Sequence, residues 1–170
     1  MTTTAAEDFY EQITGRLHRR IGRELRLAHR VLDLGCGSCD LVRYLADTYA
    51  QKVAGVDISN GTFPPERHTS NGNRYDCLKH DAAALTFAQD GSADAVVSLF
   101  ALHEMAGAEV ILQEARRVLR PGGEILVVDF PRDSLAQQLW NEDYFRPDQI
   151  KRLLQEARFE QVHVLSLIHI

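Results

Sequence analysis

Val31-Leu32-Asp33-Leu34-Gly35-Cys36-Gly37-Ser38-Cys39-Asp40-Leu41 is the stretch on which the fold class turns. A short apolar run halted by two closely spaced glycines reads as a buried strand entering a tight turn. Residues without a Cβ let the backbone reverse sharply and come close to a ligand. Asp40 to Tyr49 then takes helical spacing, with Leu41, Tyr44 and Leu45 on one face. A helix starting there points free N–H groups and the positive end of its dipole at a carboxylate or phosphate. In an open parallel sheet, the carboxyl end of the first strand is also the switch point where ligands bind.

The same alternation of strand and helix continues outward. Lys52 to Asp57 is a second buried strand, Arg74 to Lys79 a weaker third and Ala93 to Leu99 a fourth. The spacing predicts a helix over Ala108 to Leu119, ended by Pro121-Gly122-Gly123, and a fifth strand over Glu124 to Asp129. Arg146-Pro147-Asp148 opens a helix through Ala157, with Pro147 suited to its first turn, and Val162 to Ile170 is β-prone. Asn60 to Asn73, rich in Gly, Pro, Ser and Asn, reads as a loop. On the N-terminal side, Ala5 to His29 forms an amphipathic helix. Phe9, Tyr10, Ile13, Leu17, Ile21, Leu25 and Ala28 share one arc, and Arg16, Arg19, Arg20, Arg23, Arg26 and Arg30 another. The expectation is one α/β domain with a parallel sheet covered on both faces.

Composition narrows the function classes. The 170 residues are 45% hydrophobic and 25% charged, an ordinary globular balance. A net charge of -5 argues against bulk electrostatic binding of nucleic acid, so a nucleic-acid partner is not expected. No apolar run nears the ~20 residues of a membrane helix, no signal-peptide core stands at the N-terminus, and a cytoplasmic location is expected. Cys36, Cys39 and Cys77 are too few and too unevenly placed for a disulfide framework. Cys36 reads as structural. The seven histidines lack metal-ligand spacing, so no metal is expected.

Ligand chemistry follows from the residues around the turn. A dinucleotide fingerprint needs a third glycine for close helix–strand packing, and Asp40 stands there instead. Asp33, two residues before the first glycine, is placed to accept from a ligand's ammonium group, which an amino acid has and a nicotinamide dinucleotide lacks. Asp57 ends the second strand, where an acid can chelate ribose hydroxyls; a solvated strand-end acid is the plainer alternative. Asp81, past the third strand, can accept from an adenine amino group or simply cap its own loop.

With these residues in view, the chain resembles a class I S-adenosylmethionine-dependent methyltransferase of the small, quinone-methylase-like type. VLDLGCGSCDL (31–41) resembles the family's glycine-rich motif and VAGVDIS (53–59) its second-strand acid. KHDAAALTFAQDGSADAVVSLFALHEM (79–105) resembles the adenine-contacting segment and fourth strand, and EARRVLRPGGEILVVDF (114–130) the following helix, turn and fifth strand. The resemblance implies a Rossmann-like doubly wound, three-layer fold with strand order 3-2-1-4-5-(7)-6, of which strand 7 is missing here. It implies S-adenosylmethionine as cofactor, with Asp33, Gly35, Cys36 and Gly37 around the methionine moiety, Asp57 on the ribose and Asp81 on the adenine. Ile58 and Ala82 would flank the base, Ser98 and Leu99 would lie near the sulfonium, and Tyr10 or Arg16 would close over the methionine end.

The reaction expected is transfer of the methyl group to an O, N or C nucleophile of a small-molecule acceptor by in-line displacement. A general base is needed only where the acceptor must lose a proton. His103, just past the fourth strand, has a suitable ordinary pKa for that role or for packing at the pocket wall, and Glu104 suits a helix start. Ser98-Leu99-Phe100-Ala101 stands where an Asn/Asp-Pro-Pro-Tyr motif would mark amino methylation of adenine or glutamine. The alternatives are an RNA or protein methyltransferase docking through the arginine arc, and a non-catalytic S-adenosylmethionine-binding module. Leu165-Ser166-Leu167-Ile168-His169-Ile170 matches the translation of a transposon-end sequencing adapter, so the natural chain is expected to continue past it.

Overall fold

The computed structural model of the chain describes residues 3–59, 63 and 71–164, with side chains from residue 9 onward. Five strands form one sheet, β1 (Arg30–Leu34), β2 (Lys52–Asp57), β3 (Tyr75–Lys79), β4 (Ala93–Leu99) and β5 (Leu119–Val128). All neighbours are parallel and the order is β3-β2-β1-β4-β5. The chain therefore reverses its winding direction between β1 and β4, which opens a crevice at their carboxyl ends.

The central strands are covered on both sides, and the period of two sorts their side chains. Val31, Val53, Cys77, Ala95 and Val97 face α1 (Thr3–Glu24) and α2 (Asp40–Tyr49). Leu32, Leu34, Val56 and Val96 face α3 (Ala108–Val118) and α5 (Pro147–Glu156). Leu17, Ile21, Leu25, Leu45 and Val42 close the first core, and Ile111, Leu112, Ala115 and Leu154 the second. Buried Gln51 donates from its amide to the carbonyls of Leu25 and Ala28, at 2.6 and 2.8 Å, tying the end of α1 to the start of β2. At the opposite side Arg117 binds Glu114, Asp90 and the carbonyls of Leu85 and Ala88, pinning the β3–β4 connection to α3.

The structure departs from the sequence expectations in several places. The first helix ends at Glu24 rather than His29, although Leu25 and Ala28 remain buried in the following turn. The helix before the fifth strand stops at Val118, because Leu119 is already extended and pairs with Ala93. β5 thus starts upstream of Pro121, with a register shift between Ala93 and Ala95. A six-residue helix, α4 (Leu135–Trp140), was not anticipated, since it is too short to show a period. Of the expected last strand, residues 162–164 carry no strand and the rest lies outside the described residues, as does most of the 60–73 loop.

Candidate active site

The turn after β1 is built from backbone rather than side chains. The N–H groups of Gly35 and Cys36 both donate to the Val56 carbonyl, at 2.8 and 3.0 Å, so the loop rests on β2. Gly35 and Gly37 have φ of 74° and 49°, left-handed values that non-glycine residues disfavour. A Cβ on Gly35 would run into Ala101 and Met105, whereas one on Gly37 would meet nothing within 4 Å. The first glycine therefore lets the loop close against the end of β4, and the second leaves an open cradle above it.

Two acids flank that cradle in opposite electrostatic states. Asp33 is 2% exposed, and among the described residues its Oδ1 has no hydrogen-bond partner. Burial, with the Asp57 charge added, pushes its carboxyl up to about 7. Asp57 also feels burial, but hydrogen bonds from Ser59 and from the Gly37 N–H outweigh it and hold its carboxyl below the ordinary range. Its Oδ2 lies 3.0 Å from the Gly37 nitrogen and its Oδ1 2.8 Å from the Ser59 nitrogen. Ile58, beside it, is 68% exposed, an apolar side chain left facing outward at the strand end. Asp81 is exposed and accepts from the Ala83 N–H at 2.8 Å, so it caps its own loop, while Ala82 is buried. Ser98 is buried with no partner for its Oγ among the described residues, and Leu99 packs against the first core.

The sulfur atoms beneath the loop form a group that cysteine counting missed. Cys39, which precedes α2 in a left-handed conformation, is disulfide-bonded to Cys77 of β3, and Cys36 Sγ lies 3.4 Å from Cys39 Sγ. The bond fastens the start of α2 to β3 across β2. Gly55 makes room for this, since a Cβ there would come within 2.6–2.7 Å of Cys36 and Val42. The available signal was the Cys-x-x-Cys spacing of Cys36 and Cys39 at a helix N-terminus.

A second group lies at the carboxyl ends of β4 and β5. His103 follows β4 on a short 3-10 turn, Leu102–Glu104, and its side chain is 3% exposed. Its Nδ1 is 2.9 Å from the Asp129 carboxylate, itself 2% exposed, and its Nε2 is 3.2 Å from Glu142 Oε2. Tyr144 donates its hydroxyl to the same Glu142 oxygen at 2.8 Å, and its ring packs 4.3 Å from the imidazole. Burial alone would lower the His103 pKa, but Asp129, then Glu142 and Glu104, outweigh it and raise the pKa above its ordinary value. Glu104 Oε1 stands 3.8 Å from Nε2, and burial together with the Glu142 charge raises its carboxyl. His103, Glu104 and Glu142 bring ligand-type atoms within 4.8 Å of one another, a juxtaposition that histidine spacing did not foreshadow. Both imidazole nitrogens already face carboxylates, so the arrangement is equipped to orient the ring and move a proton.

Residues 32–127, more than half of the chain, match the family described as methyltransferase domain. The chain belongs to that family. This methyltransferase domain is 34% identical over 109 residues to a demethylmenaquinone methyltransferase of Thermus thermophilus, covering 60% of this chain and 47% of the relative. It is 31% identical over 129 residues to a 27-O-demethylrifamycin SV methyltransferase of Amycolatopsis mediterranei, covering 71% and 46%. Among solved structures the [4+2]-cyclase SpnF superposes with a TM-score of 0.70 at 25% identity, covering 84% of this chain and 55% of that one. The chain thus spans about half the length of the curated relatives it matches. No helix among the described residues is long and apolar enough to cross a membrane.

Proposed function

We propose that this methyltransferase domain binds S-adenosylmethionine over the β1–α2 turn and methylates a hydroxyl oxygen of a small-molecule acceptor, with His103 as the base. The residues present fit the cofactor. The buried Asp33 Oδ1 without a partner matches an incoming ammonium, and the open space above Gly37 admits a ligand against the backbone. Asp57, ionised at the end of β2, accepts from ribose hydroxyls; Asp81 and the backbone at Ala82 meet the adenine, and exposed Ile58 covers one face of the base. Gly35, Cys36, Ser98 and Leu99 surround the methionine end. When bound, the cofactor supplies an electrophilic methyl group on a sulfonium.

The observation that carries the oxygen-acceptor reading is the buried imidazole held between two carboxylates. Asp129 takes the Nδ1–H, which fixes the ring, and Nε2 receives the acceptor's proton once the acceptor hydroxyl replaces Glu142 beside it. Glu142, partly exposed and 3.2 Å from Nε2, offsets the imidazolium charge that forms. Holding the acceptor oxygen about 3–3.5 Å from the methyl carbon supplies most of the remaining rate. The relative named for 27-O-demethylrifamycin SV supports an oxygen acceptor. A second reading, docking of RNA or another polyanion on the arginine face of α1, is favoured by the exposure of Arg16, Arg19, Arg20 and Arg23; Arg26 and Arg30 of the expected arc lie beyond the end of the helix.

Calorimetric titration with S-adenosylmethionine, S-adenosylhomocysteine and NAD, on the wild type and Asp57→Ala, tests the cofactor site. Binding of the first two alone, weakened in the variant, is expected. Equal binding of NAD, or an unchanged variant, would overturn it. Salt-sensitive RNA binding would move the acceptor assignment to the second reading.

A further inference from the structure

The geometry points to a planar, uncharged, hydroxylated aromatic ring as the acceptor, bound against the aromatic side chains beside His103. The inference rests on the methyl-transfer reading above and names its substrate class. β4 ends at Leu99, and Phe100 then takes φ of 54° while its N–H donates to the Val128 carbonyl at 2.8 Å. A phenylalanine held in the left-handed region by a strand-end hydrogen bond is strain kept in place by its surroundings. That turn lays the Phe100 ring flat on Phe130, centroids 4.4 Å apart and planes within 4°. Trp140 of α4 packs 5.5 Å from Phe130, and Tyr10 of α1 lies 5.9 Å from Phe100 and 6.4 Å from Trp140. Tyr144 stands edge-on to Phe130 at 5.7 Å and touches His103 at 4.3 Å, joining the ring group to the base.

These rings come from four separate places in the chain and meet only at the carboxyl ends of β4 and β5. They are not sealed in the core: Tyr10 is 45% exposed, and Phe100, Phe130 and Trp140 are part-exposed. The part-exposed surface beside His103 is thus aromatic, which favours stacking or edge contact with another flat ring over an aliphatic chain. Charge selection points the same way. Asp129 is buried and accepts from His103 and the Phe130 N–H, and Glu142 accepts from Tyr144 and faces His103. Glu104 stands 3.8 Å from Nε2, so carboxylates surround that nitrogen and disfavour an anionic acceptor. The acceptor reaches the imidazole by taking the place of Glu142 at Nε2. An uncharged ring hydroxyl satisfies it by donating to Nε2. In the reaction that proton passes to Nε2 and the oxygen's electron pair forms the new C–O bond. The methyl–sulfur bond breaks, its pair stays on sulfur, and the imidazolium later gives its proton to solvent.

Trp140 is the only tryptophan in the sequence, so its emission, excited on the red edge of indole absorption, reports this site directly. The test titrates the full chain, with S-adenosylhomocysteine bound, with 4-methylcatechol, decanoate and tetramethylammonium. It then follows S-adenosylhomocysteine formation from S-adenosylmethionine with 4-methylcatechol and with decanoate, tetramethylammonium serving as a binding probe alone. Expected are a saturable change for 4-methylcatechol alone and product formation only in its presence. Phe130→Leu, or Phe100→Leu should the first variant unfold, weakens the titration about 3- to 10-fold. No emission response to 4-methylcatechol, or a response only to decanoate or tetramethylammonium, overturns the proposal. Product formed with a non-aromatic acceptor overturns it too, while leaving methyl transfer intact. A saturable catechol response without product, at saturating S-adenosylmethionine, upholds the aromatic site and removes the methyl-transfer reading instead.

Discussion

Replacing Asp33 with Asn should remove a loss of stability that the cofactor-free domain otherwise suffers as pH rises, while damaging cofactor binding. Asp33 is 2% exposed, its Oδ1 has no partner among the described residues, and its carboxyl is pushed from 3.8 to about 7. Below pH 3.8 the carboxyl is protonated in both folded and unfolded chains, and burial carries no ionisation penalty. Between 3.8 and about 7 the unfolded chain releases the proton and the folded one keeps it, so stability falls as pH rises. Above that window the loss is constant, at about 4 kcal/mol from 1.36 kcal/mol per pKa unit, or roughly 2–4 once local relaxation is allowed for. Asn does not ionise, so this loss disappears. Its buried amide N–H groups cost about 1–3 kcal/mol at every pH, which makes the difference between two pH values the clean quantity. Urea unfolding of wild type and Asp33→Asn at about pH 4 and about pH 8 should show the variant gaining roughly 2–4 kcal/mol on the wild type between them. In calorimetry at pH near 8 the variant should bind S-adenosylmethionine at least tenfold more weakly, about 1.4 kcal/mol, having lost a charge-assisted hydrogen bond. An effect on stability that is the same at both pH values would refute the buried-acid argument. Unchanged affinity would refute the ammonium assignment.

Three further outcomes are expected. Because the neutral imidazole is the base and Asp129 and Glu142 raise the His103 pKa, the initial methylation rate should climb with pH through a midpoint above 6.5. Asp129→Asn should move that limb to lower pH and His103→Gln should cost about 10²–10⁴ in kcat, read from S-adenosylhomocysteine formation across pH; flat profiles in all three proteins would contradict the role. Gly55→Ala should destabilise the domain by about 1–3 kcal/mol in urea, since the new methyl lands on Cys36 and Val42; an unchanged midpoint would mean the loop is not seated there. Reductant should lower the urea stability of the wild type by about 3–4 kcal/mol, from the 38-residue separation of Cys39 and Cys77, and should leave Cys77→Ala unaffected. Equal sensitivity in both would place the sulfur chemistry elsewhere.

The strand–turn–helix at Val31 to Tyr49, the second and fourth strands and the acids at the strand ends were legible from the chain alone. Each of these rests on local information: an apolar run of strand length, glycines where the backbone must reverse, or a 3.6-residue period. The order β3-β2-β1-β4-β5 followed from a resemblance carried by those same segments. Tertiary structure alone decided the rest, because it brings together residues whose spacing holds no period. His103 meets Asp129 and Glu142 across 26 and 39 positions, Cys39 meets Cys77 across 38, and three separate segments supply the rings around Phe130. Asp33 could be read as an acid near the turn, but its energetic state could not. That depends on how completely the neighbouring strands and loop exclude water, and desolvation is a property of the packed molecule rather than of any segment.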